Sequence, residues 1–285
     1  MASVAELRKK IRGIRTTRQI TNAMKMIAAA RYGHAQRAAS DAVRFPAESR
    51  GILDRLAAAA ASGAERYAPA AGRESCACVI LVAGDKGLCG DFNSSALRLC
   101  RDMLAAPGVS VTRLMAIGRK ACDFGRTCGL PTAAVLPYPQ AFAPLSLDFA
   151  ERVAHEALRG YLAGDYGRVV ALSHELRGGV RRRVGASELL PLGRPPAGSA
   201  EVCVDPPDPA AALDSAVGLW LAGRIHELLR QSLAAELSAR MLAMDNATRN
   251  ADDLIDRVTL SMNKTRQAAI TRELAELAGS EQVVG

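Results

Sequence analysis

Acidic residues are missing from a long stretch near the start of the chain. Residues 7–40, LRKKIRGIRTTRQITNAMKMIAAARYGHAQRAAS, hold nine Lys or Arg and no Asp or Glu. Other absences narrow the classes available. No run of 18 apolar residues occurs, so no membrane span is expected, and the first residues lack the apolar core of a secretory signal; a cytosolic site of synthesis is the expectation. The seven cysteines form no CxxC pair and have no neighbouring His, which argues against a zinc site and a disulfide scaffold. The four histidines, His34, His155, His174 and His226, lie apart from one another. They assemble no Ser-His-Asp set and are expected at the surface or in helix packing. Residues 1–60 contain two aromatics, Tyr32 and Phe45, too few for base-stacking platforms, so a basic coiled-coil nucleic-acid binder is the distant alternative.

What is present divides the chain into three. The net charge of +8 is distributed as +8 over residues 1–60, +3 over 61–207 and −3 over 208–285, and such asymmetry points to an electrostatic partner for the first segment. That segment has one proline, Pro46, and high helix propensity. Ser3 and Glu6 are spaced as a capping box. Val4, Leu7, Ile11, Ile14, Ile20, Met24 and Ile27 trace a narrow helical stripe. Pro46 predicts a break near Phe45.

Residues 74–204 alternate short apolar runs (CACVILVAG at 76–84, VTRLMAIG at 111–118, TAAVLPY at 132–138, RVVALSHEL at 168–176) with helix-like segments at 93–106 and 147–164. This alternation predicts a Rossmann-like α/β domain with a mostly parallel sheet. Asp208 before Pro209 reads as an N-cap with proline at the first helical position. The proline-free run that follows predicts one helix of some 70 residues, roughly 105 Å long. Its stripe passes through Leu213, Val217, Leu221, Leu228, Met241, Met244, Leu254, Val258, Met262, Ile270 and Leu274. A helix of that length needs a partner, and the N-terminal helix (1–61) is the other long one, so an antiparallel coiled coil of 1–61 with 208–279 is expected.

IRTTRQITNAMKMIAAAR (14–31), GDKGLCGDFN (84–93), IGRKACDFGR (117–126), SARMLAMDNAT (238–248) and MNKTRQAAITRELAEL (262–277) resemble, in order and over nearly the whole chain, segments of the gamma subunits of F-type ATP synthases. The resemblance implies a non-catalytic central shaft inside a ring of alpha and beta subunits. It further implies contacts with an epsilon subunit and a membrane c-subunit ring, no cofactor or metal, and peripheral attachment at the cytoplasmic face of a bacterial inner membrane. Met24 and Lys25 match positions facing an acidic loop of a beta subunit. Arg266, Gln267 and Thr271 match a catch with a beta-subunit loop; the alternative from the residues alone is that the partner helix has ended there and this face is solvated. Arg8, Lys9, Lys10, Arg12, Arg15, Arg18 and Lys25 would supply a cationic field, and Lys86 would add a contact at the foot of the shaft.

GDKGLCGDFN carries three glycines after a strand but lacks the GK[ST] ending and the GxGxxG spacing, so direct nucleotide binding is not expected. Cys122 and Cys128 lie outside the insert that carries the regulatory cysteines of chloroplast relatives, and redox control is rejected. Residues 177–190 depart most from the family; Arg181, Arg182 and Arg183 would meet the membrane ring, a lipid surface or solvent. A divergent paralogous rotary ATPase is the alternative within the same class.

Overall fold

The computed structural model describes residues 3–59, 61–68, 72–140, 142, 145–177, 181–193 and 208–281. Two compact units are present, one of residues 1–29 with 240–285 and one of residues 30–239. Helices α1 (Val4–Ala42) and α7 (Pro209–Glu281) each contribute to both.

The second unit holds a five-stranded sheet of β1 (Cys76–Val82), β2 (Ser110–Ile117), β3 (Val135–Tyr138), β4 (Arg168–Arg177) and β5 (Arg181–Leu190) in the order β3-β2-β1-β4-β5. The first four strands are parallel, and β5 returns antiparallel to β4. Ala77 to Val82 of β1 are all at most 1% exposed, because a central strand of a covered parallel sheet is apolar on both faces. Helices α4 (Phe92–Ala105) and α5 (Arg119–Gly125) cover one face over a core of Val79, Leu81, Leu114 and Leu172. Helix α6 (Leu147–Ala163) and the first half of α7 cover the other, over Ile80, Met115, Val153 and Leu221. The run at 132–138 is shorter as a strand than the sequence suggests, since Thr132–Ala134 forms a 3-10 turn before β3.

The predicted termini of the long helices are present. Ser3 N donates to Glu6 Oε2 at 2.8 Å and Glu6 N to Ser3 Oγ at 3.2 Å, a closed capping box. Asp208 Oδ1 accepts from Ala210 N and Ala211 N at 3.0 and 3.1 Å, satisfying donors that α7 would otherwise leave open. The break near Phe45 is also found: α1 ends at Ala42 and α2 spans Arg44–Ala59. Pro46 sits in the first turn of α2, where a missing N–H costs no helical bond. Short helix α3 (Ala61–Ala64) follows α2. Within this unit α1 packs on α7 through Ala35, Ala39, Ala234 and Leu237.

Candidate functional site: a polar seam between the terminal helices

In the first unit the contacts fix how α1 meets α7. Arg18 pairs with Asp252, Thr21 Oγ1 lies 2.8 Å from Thr248 Oγ1, and Lys25 Nζ lies 2.6 Å from Asp245 Oδ1. As the number falls on α1 it rises on α7, which makes the pair antiparallel. Burial on α1 follows Val4, Leu7, Ile11, Ile14, then Thr21, Lys25 and Ala28, with Ala28 only 1% exposed. On α7 it follows Met244, Thr248, Ala251, Ile255, Val258 and Met262. These alternating steps of three and four are the 3.5-residue repeat of a coiled-coil seam.

The seam corrects the expected stripes at several points. Ile20 and Ile27 are 55% and 57% exposed; beyond Ile14 the seam continues through the exposed but paired Arg18 and the half-buried Thr21 and Lys25, leaving Ile20 and Ile27 off the contact. On α7 Leu254 is exposed for the same reason, with Ala251 and Ile255 facing α1 instead. The cationic field is smaller than expected, because Arg18 and Lys25 are paired in cis. Asp245 also binds Arg249 at 2.7 Å, and its hydrogen bond from Lys25 holds its carboxyl below the usual range, with Arg249 adding to the effect. Arg8, Lys9, Lys10, Arg12 and Arg15 are exposed and carry no ion pair among the described residues. Met24 is half-buried beside the seam.

Extending the register of Lys25 with Asp245 places Val4, where α1 begins, opposite residue 266. Residues 266–272 and Leu274 are exposed, Ile270 at 48% and Leu274 at 61%, because no described residue of α1 lies across from positions beyond 266. Arg266, Gln267 and Thr271 therefore present bare side chains; the Thr271 hydroxyl donates only to its own helix, at Gln267 O, 2.9 Å. The residue level with Met24 is about 246, so the two groups of candidate residues stand some 20 residues, or about 30 Å, apart along α7. They form two stations on one rod.

The loop from Gly84 to Asn93, in the other unit, is locked onto itself. Gly84 N donates to Asn93 Oδ1 at 2.8 Å, Asn93 Nδ2 to Lys86 O at 3.1 Å, and Arg119 N to Asp85 Oδ1 at 3.1 Å. Gly118, at φ +93, passes so close that a Cβ there would sit 1.9 Å from Ala83 O. In open α/β sheets nucleotides bind beyond the strand ends where the order reverses, here between β1 and β4. Phe92 stacks on His174 in that position, ring centroids 4.1 Å apart. His174 Nε2 meets Ser95 Oγ at 3.0 Å and His174 N donates to Ser232 Oγ at 3.2 Å. His174 is 1% exposed and burial lowers its pKa to about 4, so the ring is neutral at pH 7. Lys86 points to solvent. Arg182 pairs with Asp91, Arg183 is exposed, and the side chain of Arg181 lies outside the described residues. Cys122 and Cys128 are both free thiols.

Sequence reasoning missed the seam partners Asp245 and Asp252 and the Phe92–His174 stack. Continuing the 3.5-residue count through Arg18 and Lys25 would have found the first two; nothing local marks the third.

An antiparallel coiled-coil pair of the terminal helices in one unit and a mostly parallel α/β sheet in the other define the class. The comparisons give that class a family. The ATP synthase family matches residues 3–283. The ATP synthase gamma chain of Chlorobaculum tepidum is 33% identical over 99% of both chains, and that of Pelotomaculum thermopropionicum 35% identical over 98% of both. Among solved structures, a chain of the Euglena gracilis mitochondrial ATP synthase complex of OSCP, F1 and c-ring has a TM-score of 0.71 at 17% identity, covering 99% of this chain and 94% of that one. A chain of the Tetrahymena thermophila mitochondrial ATP synthase central stalk and c-ring has a TM-score of 0.60 at 21% identity, covering 80% and 99%. At those identities the structures share the fold. The chain belongs to the ATP synthase gamma chain family, and so is a component of an enzyme complex. Among the described residues no helix is long and apolar enough to cross a membrane.

Proposed function

We propose that this chain is the non-catalytic central rotor of an ATP synthase, coupling ion flow through a membrane c-ring to ATP synthesis or hydrolysis in an alpha/beta head. It sits as a peripheral subunit on the cytoplasmic face of a bacterial inner membrane, with an epsilon subunit beside it. The observation that carries this reading is the seam. The helices close on one another through ion pairs and small residues, leaving outside Ile20, Met26 and Ile27 and the cations Arg8, Lys9, Lys10, Arg12 and Arg15, which carry no ion pair among the described residues. A shaft turning within a ring needs outward contacts that break at every step. Exposed ion pairs, each contributing about 0 to 1 kcal/mol, meet that need. Met24 faces an acidic beta-subunit loop with Arg8, Lys9 and Arg12 supplying the field, Lys25 acting through Asp245 rather than reaching the loop itself. Arg266, Gln267 and Thr271 form the catch. The Phe92–His174 stack supports the absence of a nucleotide site in this chain.

The test is reconstitution. Purified with alpha and beta subunits, the chain is expected at one copy per ring, with ATP-driven ion pumping after addition of the membrane sector. A head that assembles without it and pumps equally well overturns the reading.

A further inference from the structure

The polar contacts between α1 and α7 fall at heptad spacing. Arg18 and Lys25 are one heptad apart on α1, Asp245 and Asp252 one heptad apart on α7, and Thr21 meets Thr248 between the two ion pairs. Such spacing carries a hazard, because sliding one helix past the other by a heptad returns every seam position to the interface. The apolar part of this seam discriminates weakly against that slip. In the observed alignment Leu7 stands level with Met262 and Ile14 with Ile255; moved one heptad, Leu7 meets Ile255 and Val4 meets Val258, again apolar on apolar. Ala28 and Ala251 are buried in the seam, but side chains so small interdigitate too little to select one alignment.

The polar contacts do discriminate. One heptad in one direction sets Lys25 opposite Asp252, Arg18 opposite Thr259 and Thr21 opposite Ile255. One heptad in the other sets Arg18 opposite Asp245, Lys25 opposite Ser238 and Thr21 opposite Met241. Each slip keeps one ion pair, loses the other and stands a hydroxyl against an apolar side chain. Between Leu7 and Ser40 α1 offers no acid of its own to the stranded cation, and among the described residues Arg18 is the one ion-pair partner of Asp252. The observed alignment alone satisfies all three contacts.

We propose that Arg18 with Asp252, Thr21 with Thr248 and Lys25 with Asp245 form a register lock, a set of positioning residues that holds α1 and α7 in one alignment against a one-heptad slip. Polar groups set into an otherwise apolar coiled-coil seam characteristically specify register rather than add stability. The lock stands without the rotor reading; under that reading it fixes the distance along the shaft between Met24 and the group of Arg266, Gln267 and Thr271.

Disulfide mapping of the full-length free chain tests the lock. Ile14→Cys with Ile255→Cys reports the observed alignment, Ile14→Cys with Met262→Cys one slip and Leu7→Cys with Ile255→Cys the other. Each is read as cross-linking under copper-catalysed air oxidation, beside the single substitutions that measure the contribution of the native thiols. With the lock intact, the first pair alone is expected to cross-link above that background. Arg18→Asp is expected to act in one direction: it faces Asp252 in the observed alignment and Asp245 in one slip, whereas the other slip sets it opposite Thr259 and pairs Lys25 with Asp252. The cross-link between positions 14 and 262 is therefore expected to rise about fivefold, the share one exposed ion pair carries, with none between 7 and 255. Adding Asp252→Arg restores an ion pair in the observed alignment and is expected to abolish the rise. A slipped cross-link that stays at background in Arg18→Asp places the register elsewhere in the chain and overturns the proposal. So does a rise that Asp252→Arg fails to reverse. Loss of helical circular dichroism in Arg18→Asp that Asp252→Arg restores makes the pair a structural support and overturns it too.

Discussion

Lys25 Nζ lies 2.6 Å from Asp245 Oδ1 across the seam of the terminal helices, and Asp245 is held from its own helix by Arg249. A lysine in an acid-free stretch of its helix is thereby neutralised by a residue 220 positions away. Positive charge on this helix is sorted into two sets, one closing the pair and one facing outward.

The seam pairs make the helix contact dependent on pH. The Asp245 carboxyl has its pKa lowered in the folded state by Lys25 first and Arg249 second. A lowered carboxylate pKa contributes stability that is present above its unfolded value and is lost as pH falls through the folded one. The melting temperature of the full chain is expected to drop between pH 5 and pH 2 less steeply in Asp245→Asn than in the unaltered chain. Equal slopes in circular dichroism melts would remove the pair from the stability account.

Ile27 and Ala28, adjacent in sequence, are 57% and 1% exposed. Ile27→Gln is expected to change stability by less than about 0.5 kcal/mol, as surface substitutions do. Ala28→Leu must force a larger side chain into a filled seam and is expected to destabilise by about 1 to 3 kcal/mol. In assembled complexes the order reverses under the rotor reading, Ile27→Gln impairing ATP-driven pumping more than its melting temperature suggests. Denaturant titration of both variants, set beside pumping rates, checks the two halves.

How far these distinctions were legible in the sequence depends on what marks each position. Apolar runs such as CACVILV show as strands because both faces are buried. Ser3 with Glu6 and Asp208 with Pro209 show as helix starts because a cap is a local arrangement of a few residues. On α7 Met244, Val258 and Met262 marked the seam, but on α1 it was legible only as far as Ile14. Its next positions are Arg18, Thr21 and Lys25, whose suitability depends on Asp252, Thr248 and Asp245 across the pair, and a pattern count follows apolar residues instead. Ile20 and Ile27 drew the stripe onto the outer surface. The Phe92–His174 stack was hidden for the same reason, since a buried histidine looks like an exposed one until its neighbours from α4 and α7 are known.

His174 gives the second unit its own pH response. Burial lowers its pKa from the ordinary 6.5 to about 4, so protonation favours the unfolded chain. Stability is full above pH 6.5 and falls as pH drops from there toward 4, by an amount on the order of 3 kcal/mol. His174→Phe keeps a ring against Phe92 without a titrating group and is expected to lose that dependence. Phe92→Ala is expected to cost about 3 to 5 kcal/mol at any pH. Unfolding monitored at pH 7 and pH 4.5 separates the two.

The catch reading of Arg266, Gln267 and Thr271 meets its strictest test in the exposure of those side chains. Arg266 lies level with the start of α1 and Gln267 and Thr271 beyond it; all three are exposed, and among the described residues the one hydrogen bond of these side chains is that of the Thr271 hydroxyl to its own helix. Replacing Arg266 and Gln267 together by Leu is therefore expected to leave the melting temperature of the free chain unchanged, because nothing they hold in place is lost and leucine keeps the helix. In the assembled head the same change removes two hydrogen-bonding side chains that would meet a beta-subunit loop. Loss of charge-assisted bonds of about 1.5 to 3 kcal/mol each is expected to lower ATP-driven turnover by tenfold or more if they form in one rotational state only. Thr271→Val, which deletes only the hydroxyl, is expected to give a smaller fall. Turnover of the double variant equal to that of the unaltered complex, with the free chain equally stable, would show that this end of α7 is a solvated face and would remove the catch from the mechanism.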